Sequence, residues 1–293
     1  MILFPCRGEI KELGDDARTN ASGSFSRLSK GLTHYKLSGP SDGKVVVLIH
    51  GIGGPFGIWS KIVDSLTSHG FRVLQYDLYG RGYSDRPDLN HDIDLYINQL
   101  DDIIKELSIK IPVTLVGWSL GGMIAINYAA KFPKKTDQLA LIAPAGIAVS
   151  KPMIANILTI PLLGEILMSL FGQSFVIKSL LKGLYRKELE DDYRILLSEQ
   201  MRYKGYLRSF LSTLRHCVFK DATEQYQIVG NLEIPVLLIS GSEDSFITQH
   251  SRSRIRELIP TSKFSEISGS GHLPVFEKPE EVSHILINLI SSS

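Results

Sequence analysis

The sequence predicts an α/β fold in which helices cover both faces of a central, mostly parallel sheet. Its 293 residues are 43% hydrophobic, which is enough to bury a large core. Short apolar runs recur along the chain and alternate with segments of helical character, the pattern of parallel strands joined by crossover helices. The alternation is interrupted once, so we expect a helical segment inserted into this fold.

Six segments have the composition of strands. The first alternates like a half-buried strand, whereas the others are continuous apolar runs typical of strands covered on both faces. They are LTHYKL at 32–37, KVVVLIH at 44–50, FRVLQYD at 71–77, VTLVGW at 113–118, QLALIAP at 138–144 and PVLLISG at 235–241. Helical segments are predicted between and after them, at 59–69, 95–107, 121–132 and 251–259.

Composition divides the chain into a lead-in, a core and an insertion. Residues 1–30 are predicted to be a flexible N-terminal lead-in, because 14–30 are small and polar with almost no apolar periodicity. The core is expected at 31–145 and 224–293. Residues 146–223 contain several helical stretches and no convincing central strand, so we predict a helical cap, or lid, there and refer to 146–223 as the cap segment.

The first part of the cap segment is rich in Ile, Leu and Met, but it is too interrupted to span a membrane. Pro161, Gly164 and Glu165 break the run of about twenty apolar residues that a membrane span requires. We therefore expect a cover over an apolar cleft. Weak contact of the cap segment with a membrane surface is a lesser alternative.

Charge and cysteine content argue against several classes of protein. The chain has 32 Lys and Arg against 31 Asp and Glu and no long basic block, so we expect no nucleic-acid partner. Cys6 and Cys217 lie far apart without metal-ligand spacing, which predicts unbridged thiols and no metal site. The N-terminus lacks the basic flank and long apolar region of a secretory signal, so we expect a cytoplasmic protein. No oligomeric state is predicted.

Ser119 lies in the pentapeptide GWSLG, at 117–121, where a strand pattern gives way to a helix pattern. In this context G-x-S-x-G is typical of a nucleophilic serine on a sharp strand-to-helix turn, with glycines that allow the bend. An ordinary turn serine is the alternative for the pentapeptide taken alone. The flanking strand and helix favour the nucleophile, because the N-terminus of the helix directs backbone N–H groups towards developing negative charge.

A nucleophilic serine needs a base and a third group that orients the base. His272 follows two glycines in GSGHLP near the end of the chain, which allows its side chain to project. Six of the other histidines stand in polar or helical surroundings, and His50 is expected to have a structural role in a turn. Asp244 follows the strand PVLLISG and is the expected acid, although spacing alone leaves its neighbour Glu243 open.

The oxyanion of an acyl-transfer reaction requires two preset hydrogen-bond donors. The N–H of Leu120, directly after the nucleophile, is one predicted donor. The second is expected from the glycine-rich turn HGIGG at 50–54, and we assign the N–H of Ile52. The turn and the cap segment are also expected to contact the substrate, unless the apolar cap residues only pack the cap against the core. The predicted substrate contacts are Gly51, Gly53, Trp118, Met153, Ile157 and Leu163.

The segment GIGGPFG, followed by a later acidic residue, superficially resembles a dinucleotide site. Phe56 stands where G-x-G-x-x-G requires its last glycine, and Pro55 directly follows the glycines, so this reading is rejected. Asp77 is instead predicted to anchor the loop after its strand, with Arg81 as its partner.

Five motifs occur along the chain in the order HGIGG, YDLYGRGYSDRP, GWSLGG, SGSEDSF and GSGH. Together they resemble the α/β-hydrolase superfamily, and within it the serine esterase and lipase-like members, over about residues 32–288. The resemblance implies a mostly parallel sheet, a helical cap inserted after the sixth strand, and no cofactor. Dehalogenases and most epoxide hydrolases of this fold carry an aspartate at the nucleophile position, so Ser119 argues against both activities.

The residues and the resemblance together predict a serine hydrolase of carboxylic esters. Ser119, His272 and Asp244 would form a triad that works through an acyl-enzyme, and the expected partner is a small apolar ester. Two alternatives stay open, because a fold does not fix a substrate. One is hydrolysis of a carbon–carbon bond in meta-cleavage products, and the other is a binding receptor on the same scaffold that turns over slowly or not at all.

Overall fold

A single eight-stranded sheet forms the centre of the computed structural model, which describes residues 6–147 and 152–291. The strands are β1 (Ser24–Leu28), β2 (Gly31–Ser38), β3 (Val45–Ile49), β4 (Arg72–Tyr76), β5 (Val113–Trp118), β6 (Thr136–Ile142), β7 (Val236–Gly241) and β8 (Lys263–Ile267). Their spatial order is β1-β2-β4-β3-β5-β6-β7-β8. Strands β3 to β8 pair in parallel, whereas β2 is antiparallel to both of its neighbours.

Helices cover both faces of the sheet. They are α1 (Asp15–Thr19), α2 (Ser60–Ser68), α3 (Ile93–Glu106), α4 (Leu120–Lys131), α5 (Met153–Thr159), α6 (Leu163–Leu181), α7 (Glu190–Ser198), α8 (Tyr206–Thr213), α9 (Thr223–Gly230), α10 (Gln249–Leu258), α11 (Pro274–Glu277) and α12 (Pro279–Ser291). A π-helical turn, Leu214–Val218, extends α8. Alternate residues of one strand pack into different cores: Val46 and Leu48 face α2 and α12, whereas Val47 and Ile49 face α3 and α4.

The prediction of a mostly parallel sheet flanked by helices is confirmed. All six predicted strands are present. Successive side chains of a strand point to opposite faces of the sheet, so a strand buried on both faces is apolar throughout and a half-buried strand alternates. The four predicted helical segments correspond to α2, α3, α4 and α10, with ends that differ by at most two residues. Strands β1 and β8, at the two edges of the sheet, were not predicted.

The prediction of little structure at 14–30 is wrong. Helix α1 and strand β1 lie in this stretch, and β1 pairs with β2 from Ser24 opposite Tyr35 to Leu28 opposite Gly31. Phe25 also stacks on His34, with 4.8 Å between the ring centroids. The hairpin is held mainly by backbone hydrogen bonds between β1 and β2 and not by a buried apolar face. Because backbone bonding does not depend on side-chain type, the polar composition of this stretch gives no sign of it. Residues 1–5 of the predicted lead-in lie outside the described residues.

The described part of the cap segment is helical. It follows β6 and consists of α5 to α8, short 3₁₀ turns between them, and the π-helical turn Leu214–Val218. Residues 148–151, at its start, lie outside the described residues. Its exact limits at 146 and 223 stay a prediction.

Candidate active site

Ser119 occupies the sharp bend between β5 and α4. Its backbone has φ 54° and ψ −114°, a strained conformation for a residue with a side chain. The Ser119 N–H donates to the carbonyl of Ile142 at 2.9 Å. A Cβ atom on Gly121 would lie only 2.0 Å from the carbonyl oxygen of Ile49, so strand and helix approach each other at a distance that only glycine permits. The glycines of G-x-S-x-G therefore set the geometry of the bend.

The structure brings Ser119, His272 and Asp244 together. Ser119 Oγ lies 2.9 Å from His272 Nε2, and His272 Nδ1 lies 3.0 Å from Asp244 Oδ2. The side chain of Asp244 is fully buried, and His272 is 5% exposed. Glu243, the other candidate acid, is exposed, and its carboxylate accepts a hydrogen bond from Ser242. Asp244 is thus the acid that contacts the histidine.

Asp244 is held in its ionised form. Burial by itself would raise the pKa of this carboxyl, but the adjacent His272 ring and the N–H groups of Ile247 and Phe246 outweigh burial and lower the pKa. Those two N–H groups donate to Oδ1 at 2.9 and 2.8 Å, which leaves Oδ2 for the imidazole. With Nδ1–H donating to Asp244, the unprotonated Nε2 faces the Ser119 hydroxyl and can accept its proton.

His50 fixes the turn that lies against Ser119. Its Nε2 accepts a hydrogen bond from the Leu78 N–H at 3.0 Å, so Nδ1 carries the proton and donates to the Gly51 carbonyl at 2.7 Å. Burial lowers the pKa of His50 to about 4, which keeps the ring neutral at pH 7. Because the C=O and N–H of one peptide unit point in opposite directions, this bond turns the N–H of Ile52 away from His50.

The other carbonyls of the turn are held from outside it. The buried Arg81 donates through Nε to the carbonyl of Ile52, and its guanidinium lies over two aromatic rings of α8 at 5.3 and 5.5 Å. From the cap segment, Gln200 Nε2 donates to the carbonyls of Gly53 and Gly54 at 2.8 and 3.1 Å. The turn is therefore clamped between core and cap, with the carbonyls of residues 51–54 occupied.

Two backbone N–H groups beside Ser119 are available as donors. Within the described residues, neither the N–H of Ile52 nor that of Leu120 donates to an acceptor. Leu120 begins α4, and the first N–H groups of a helix have no intrahelical partner. A Cβ atom on Gly51 would lie 3.3 Å from the Ser119 Cβ, so the turn that carries Ile52 packs directly against the serine. The arrangement can supply two donors to an anion formed next to Ser119.

Asp77 anchors two loops, but Arg81 is not its partner, so the predicted pairing is wrong. Asp77 Oδ2 lies 2.7 Å from His34 Nδ1 and accepts the Tyr83 N–H at 3.0 Å. Its Oδ1 accepts the N–H of Phe56 at 2.8 Å. The Arg81 side chain extends to the 50–54 turn and α8 instead.

Glu277 was missed by the sequence analysis, and it joins the His272 loop to the cap segment. This carboxylate is 1% exposed. Its Oε2 accepts the Ser270 hydroxyl at 3.0 Å and the Gly271 N–H at 2.7 Å, while Oε1 accepts the N–H groups of Tyr185 and Arg186 at 2.7 and 2.8 Å. The only sequence signal is an acidic residue five positions after His272, and nothing in the sequence shows that it is buried.

The backbone of His272 is held by two further bonds. Its N–H donates to the carbonyl of Gly183 in the cap segment at 2.8 Å, and its carbonyl accepts the Trp118 Nε1–H at 2.7 Å. The ring of Phe246 contacts the imidazole edge-on, with 4.9 Å between centroids. The imidazole is thus positioned jointly by the cap segment, by β5 and by the loop that carries Asp244.

A cavity of about 440 Å³ opens at Ser119 and His272. Its wall is mostly apolar and contains no Lys, Arg, Asp or Glu among the described residues. The cap segment contributes Ile154, Ala155, Leu158, Phe175, Leu180, Tyr193, Phe210 and Leu214 to this wall. Over the same described ranges, no group of three or more His, Cys, Asp or Glu side chains could hold a metal ion.

The predicted substrate contacts are only partly at this cavity. Gly53 and Trp118 line it, whereas Gly51 lies behind it against Trp118. Met153 and Leu163 are 80% and 40% exposed on the outer surface, and Ile157 is also outside the described lining, so the predictions for these three residues are wrong. Helix α5 has five apolar residues and only two polar ones, Asn156 and Thr159, so its apolar side is broader than the side that lines the cavity. The inner residues are Ile154, Ala155 and Leu158.

Comparison with known proteins agrees with this architecture. A profile of the alpha/beta hydrolase fold family matches residues 44–173, which include the 50–54 turn and Ser119. The chain is 30% identical over 269 residues to 1-acylglycerol-3-phosphate O-acyltransferase ABHD5 of Rattus norvegicus, covering 80% of this chain and 74% of that protein. It is 24% identical over 271 residues to 2-hydroxy-6-oxo-6-(2'-aminophenyl)hexa-2,4-dienoic acid hydrolase of Metapseudomonas resinovorans, covering 88% of this chain and 87% of that protein.

Among solved structures, a thermophilic esterase from Thermogutta terrifontis superposes with a TM-score of 0.78 at 21% identity. The superposition covers 93% of this chain and 99% of the esterase, which shows a shared fold. The profile match, the sequence relatives and the shared architecture lead to one conclusion: this chain belongs to the α/β-hydrolase superfamily.

Proposed function

We propose that this protein hydrolyses carboxylic esters that have an uncharged, apolar acyl group. The observation that carries the proposal is the continuous hydrogen-bonded path from Ser119 Oγ through the His272 ring to the buried Asp244, at the wall of an apolar cavity. A cavity of about 440 Å³ lies within the range of about 300–1,000 Å³ typical of small-molecule sites.

In the first half of the reaction, Ser119 Oγ attacks the ester carbonyl carbon while His272 Nε2 takes the hydroxyl proton. Asp244 stabilises the imidazolium through the bond to Nδ1. The carbonyl oxygen becomes an oxyanion that accepts hydrogen bonds from the N–H groups of Ile52 and Leu120. When the tetrahedral intermediate collapses, His272 returns the proton to the departing alcohol, and the acyl group stays on Ser119.

In the second half, water replaces the alcohol. His272 Nε2 takes a proton from a water molecule, whose oxygen attacks the acyl carbon of the acyl-enzyme. The same two N–H groups receive the second oxyanion, and the proton passes from His272 to Ser119 Oγ as the carboxylic acid leaves. Each group is thus restored to its initial protonation state.

Hydrolysis of carbon–carbon bonds in meta-cleavage products is the second candidate, favoured by the likeness to the dienoic acid hydrolase. A dienoic acid carries a carboxylate, and burying a carboxylate without a cationic partner is costly. The described cavity wall contains no Lys or Arg to pair with it. A neutral ester therefore fits this cavity better than a dienoic acid.

The first test is covalent labelling by a fluorophosphonate probe. The wild-type chain is expected to be labelled, and labelling should be lost in Ser119→Ala but retained in Ser60→Ala, which alters an exposed serine of α2. Hydrolysis of p-nitrophenyl butyrate should fall at least about 10⁴-fold in Ser119→Ala. Absence of labelling in the wild-type chain would instead support a binding receptor.

The second test concerns the substrate class. A panel of p-nitrophenyl esters of increasing acyl length is compared with a dienoic meta-cleavage product, using the same enzyme preparation. We expect kcat/KM to be highest for an ester longer than acetate, because the wall beside Ser119 is apolar. Faster turnover of the dienoic acid than of every ester would reject ester hydrolysis in favour of the second candidate.

A further inference from the structure

Helices α5 and α6 and the turn between them expose an unusual number of large apolar side chains. Six of them are at least 45% exposed, and we call them the cap face: Met153, Ile154, Ile160, Leu162, Leu170 and Phe171. They come from two helices that pack against each other and from the short turn between them. Soluble proteins seldom leave a continuous apolar area of this kind exposed unless it binds something.

Within residues 152–182, which carry the cap face, the charges that have no partner are of one sign. Between residues 152 and 182 the one acidic side chain is Glu165, and both of its carboxylate oxygens are bound by Arg215, at 2.5 and 2.9 Å. Lys178 and Lys182 are exposed further along the same stretch, and within the described residues neither forms an ion pair. The face therefore combines apolar side chains with uncompensated positive charge.

Helix α6, of 19 residues, is itself long and apolar enough, by length and composition, to cross a membrane, with a mean hydropathy of 1.2 over an 18-residue window. Its inner side, however, is occupied by protein: Met168 and Val176 are buried, and Gly172 lies against Leu207 of α8. The residues after its C-terminus reach Gly183, which bonds to His272. The helix is thus fixed to the protein along one side, which suits a helix lying in the surface of a bilayer rather than crossing it.

The cap face is continuous with the wall of the cavity. Ile154 is 45% exposed and also lines the cavity that contains Ser119 and His272. Pro152, beside it, is exposed and lines the same cavity. Among the described residues, Ile154 and Pro152 thus form an apolar path from the cap face to the cavity.

We propose that the cap face docks on the surface of an anionic phospholipid bilayer, and that an apolar ester enters the cavity from that surface beside Ile154. Apolar side chains would lie at the level of the acyl chains, and Lys178 and Lys182 would contact anionic headgroups. A symmetric pairing of two copies through this face would bring these like charges together, which favours a lipid surface as the occupant. Only the entry of the ester rests on the proposed function.

Binding is tested by co-sedimentation of the full chain with vesicles of phosphatidylcholine and of phosphatidylcholine mixed with phosphatidylglycerol. We expect tighter binding to the mixed vesicles. The double variant Met153→Ser/Phe171→Ser should bind at least tenfold more weakly. The matched control is Ile195→Ser, which removes an apolar side chain that is 71% exposed on α7, outside the cap face, and should bind as the wild type does.

The charge contribution is tested by Lys178→Glu/Lys182→Glu. This variant should lose most of the preference for phosphatidylglycerol while its binding to phosphatidylcholine changes little. Failure of the wild-type chain to bind either vesicle, or equal loss in Ile195→Ser and Met153→Ser/Phe171→Ser, overturns the docking proposal. So does a dimer in lipid-free solution that Met153→Ser/Phe171→Ser converts to a monomer, because the face would then pair with a second copy.

Fluorophosphonate labelling separates this proposal from the proposed function. Each variant above should be labelled at the rate of the wild-type chain, because none of the substituted side chains lines the cavity that contains Ser119. Vesicle binding without any labelling would reject ester hydrolysis and leave docking in place. If docking delivers the substrate, Met153→Ser/Phe171→Ser should hydrolyse a long-chain ester presented in mixed vesicles at least tenfold more slowly, with dissolved p-nitrophenyl butyrate unaffected.

Discussion

The two sides of the candidate active site are held in place by different means. Ser119 is fixed by close packing of the backbone, because Gly121 lies against the carbonyl of Ile49. The N–H of Ser119 also donates to the carbonyl of Ile142. His272 is fixed by polar bonds, several of which come from outside the core: Gly183 accepts its N–H, and Glu277 links its loop to the cap segment.

This difference indicates how the cap segment affects chemistry. A displacement of the cap would leave the serine bend unchanged, because no cap residue bonds to it among the described residues. The same displacement would move the His272 imidazole directly, because the His272 N–H bonds to Gly183 of the cap segment. The serine side should therefore respond to added volume, and the histidine side to lost charge or hydrogen bonds.

The largest effect is expected on the serine side, from Gly121→Ala. The added Cβ would lie 2.0 Å from a backbone oxygen of β3, and backbone cannot move aside as a flexible side chain can. We expect the free energy of unfolding to fall by more than about 5 kcal/mol, measured by urea denaturation, or soluble protein to be lost. Gly14→Ala is the control, because no atom lies within 4 Å of its added Cβ; similar stability of both variants would contradict a packed serine bend.

On the histidine side, Glu277→Gln tests the hydrogen bonds by which Glu277 joins the His272 loop to the cap segment. A glutamine keeps the shape but replaces one oxygen with an NH₂ group, so two of the four donors that face Glu277 lose their acceptor. We expect the free energy of unfolding to fall by about 4 kcal/mol, since a buried unpaired donor costs about 1–3 kcal/mol. On p-nitrophenyl butyrate, kcat should fall about tenfold or more while KM changes little, because Glu277 does not line the cavity.

Glu281→Gln is the matched control for this prediction, because Glu281 is exposed on α12. It should leave both stability and kcat unchanged. A positioning role also predicts that the pH profile of kcat/KM shifts in Glu277→Gln, since the environment of the imidazole changes. Lower stability with an unchanged kcat and an unchanged pH profile would show that Glu277 only stabilises the fold.

A smaller loss of stability is expected at acidic pH. It should come first from His50, in the turn that packs against Ser119, and only at lower pH from Asp244. Burial lowers the pKa of His50 from its ordinary value of 6.5 to about 4, so the unfolded chain takes up a proton before the folded chain does. The stability supplied by neutral His50 is complete above about pH 6.5 and is lost as the pH falls to about 4, to a total of about 3 kcal/mol. The pKa of Asp244 is lowered, so its contribution is lost only below the ordinary aspartate value of 3.8.

The measurement is urea denaturation at pH 7 and at pH 5 for the wild-type chain and for His50→Gln. The glutamine does not titrate, so the variant should lose less stability between the two pH values than the wild type. Burial also lowers the pKa of His91 to about 3, and this contribution is common to both chains. Equal losses in the two chains would contradict the structural role of a neutral His50.

The sequence predicted those parts of the molecule that depend on local chemistry. The central strands can be recognised in the sequence because both of their faces are buried, which requires continuous apolar runs such as VVVLI and VLLISG. Ser119 was predicted from glycines that a tight bend requires, Asp244 from its position after the strand PVLLISG, and His272 from the glycines that precede it. The order of these residues along the chain indicated which groups would meet.

Tertiary structure alone decided the rest. The edge strands β1 and β8 share one pattern of partial exposure and end in a single buried residue, so their sequences lack the apolar run that marks a central strand. Packing selected Ile154 rather than Met153 for the cavity wall, because the broad apolar side of α5 includes both residues. Arg81 and Glu277 find their partners across long sequence separations, which no local pattern encodes. Burial and pairing between distant segments set these features, and they exist only once the chain has folded.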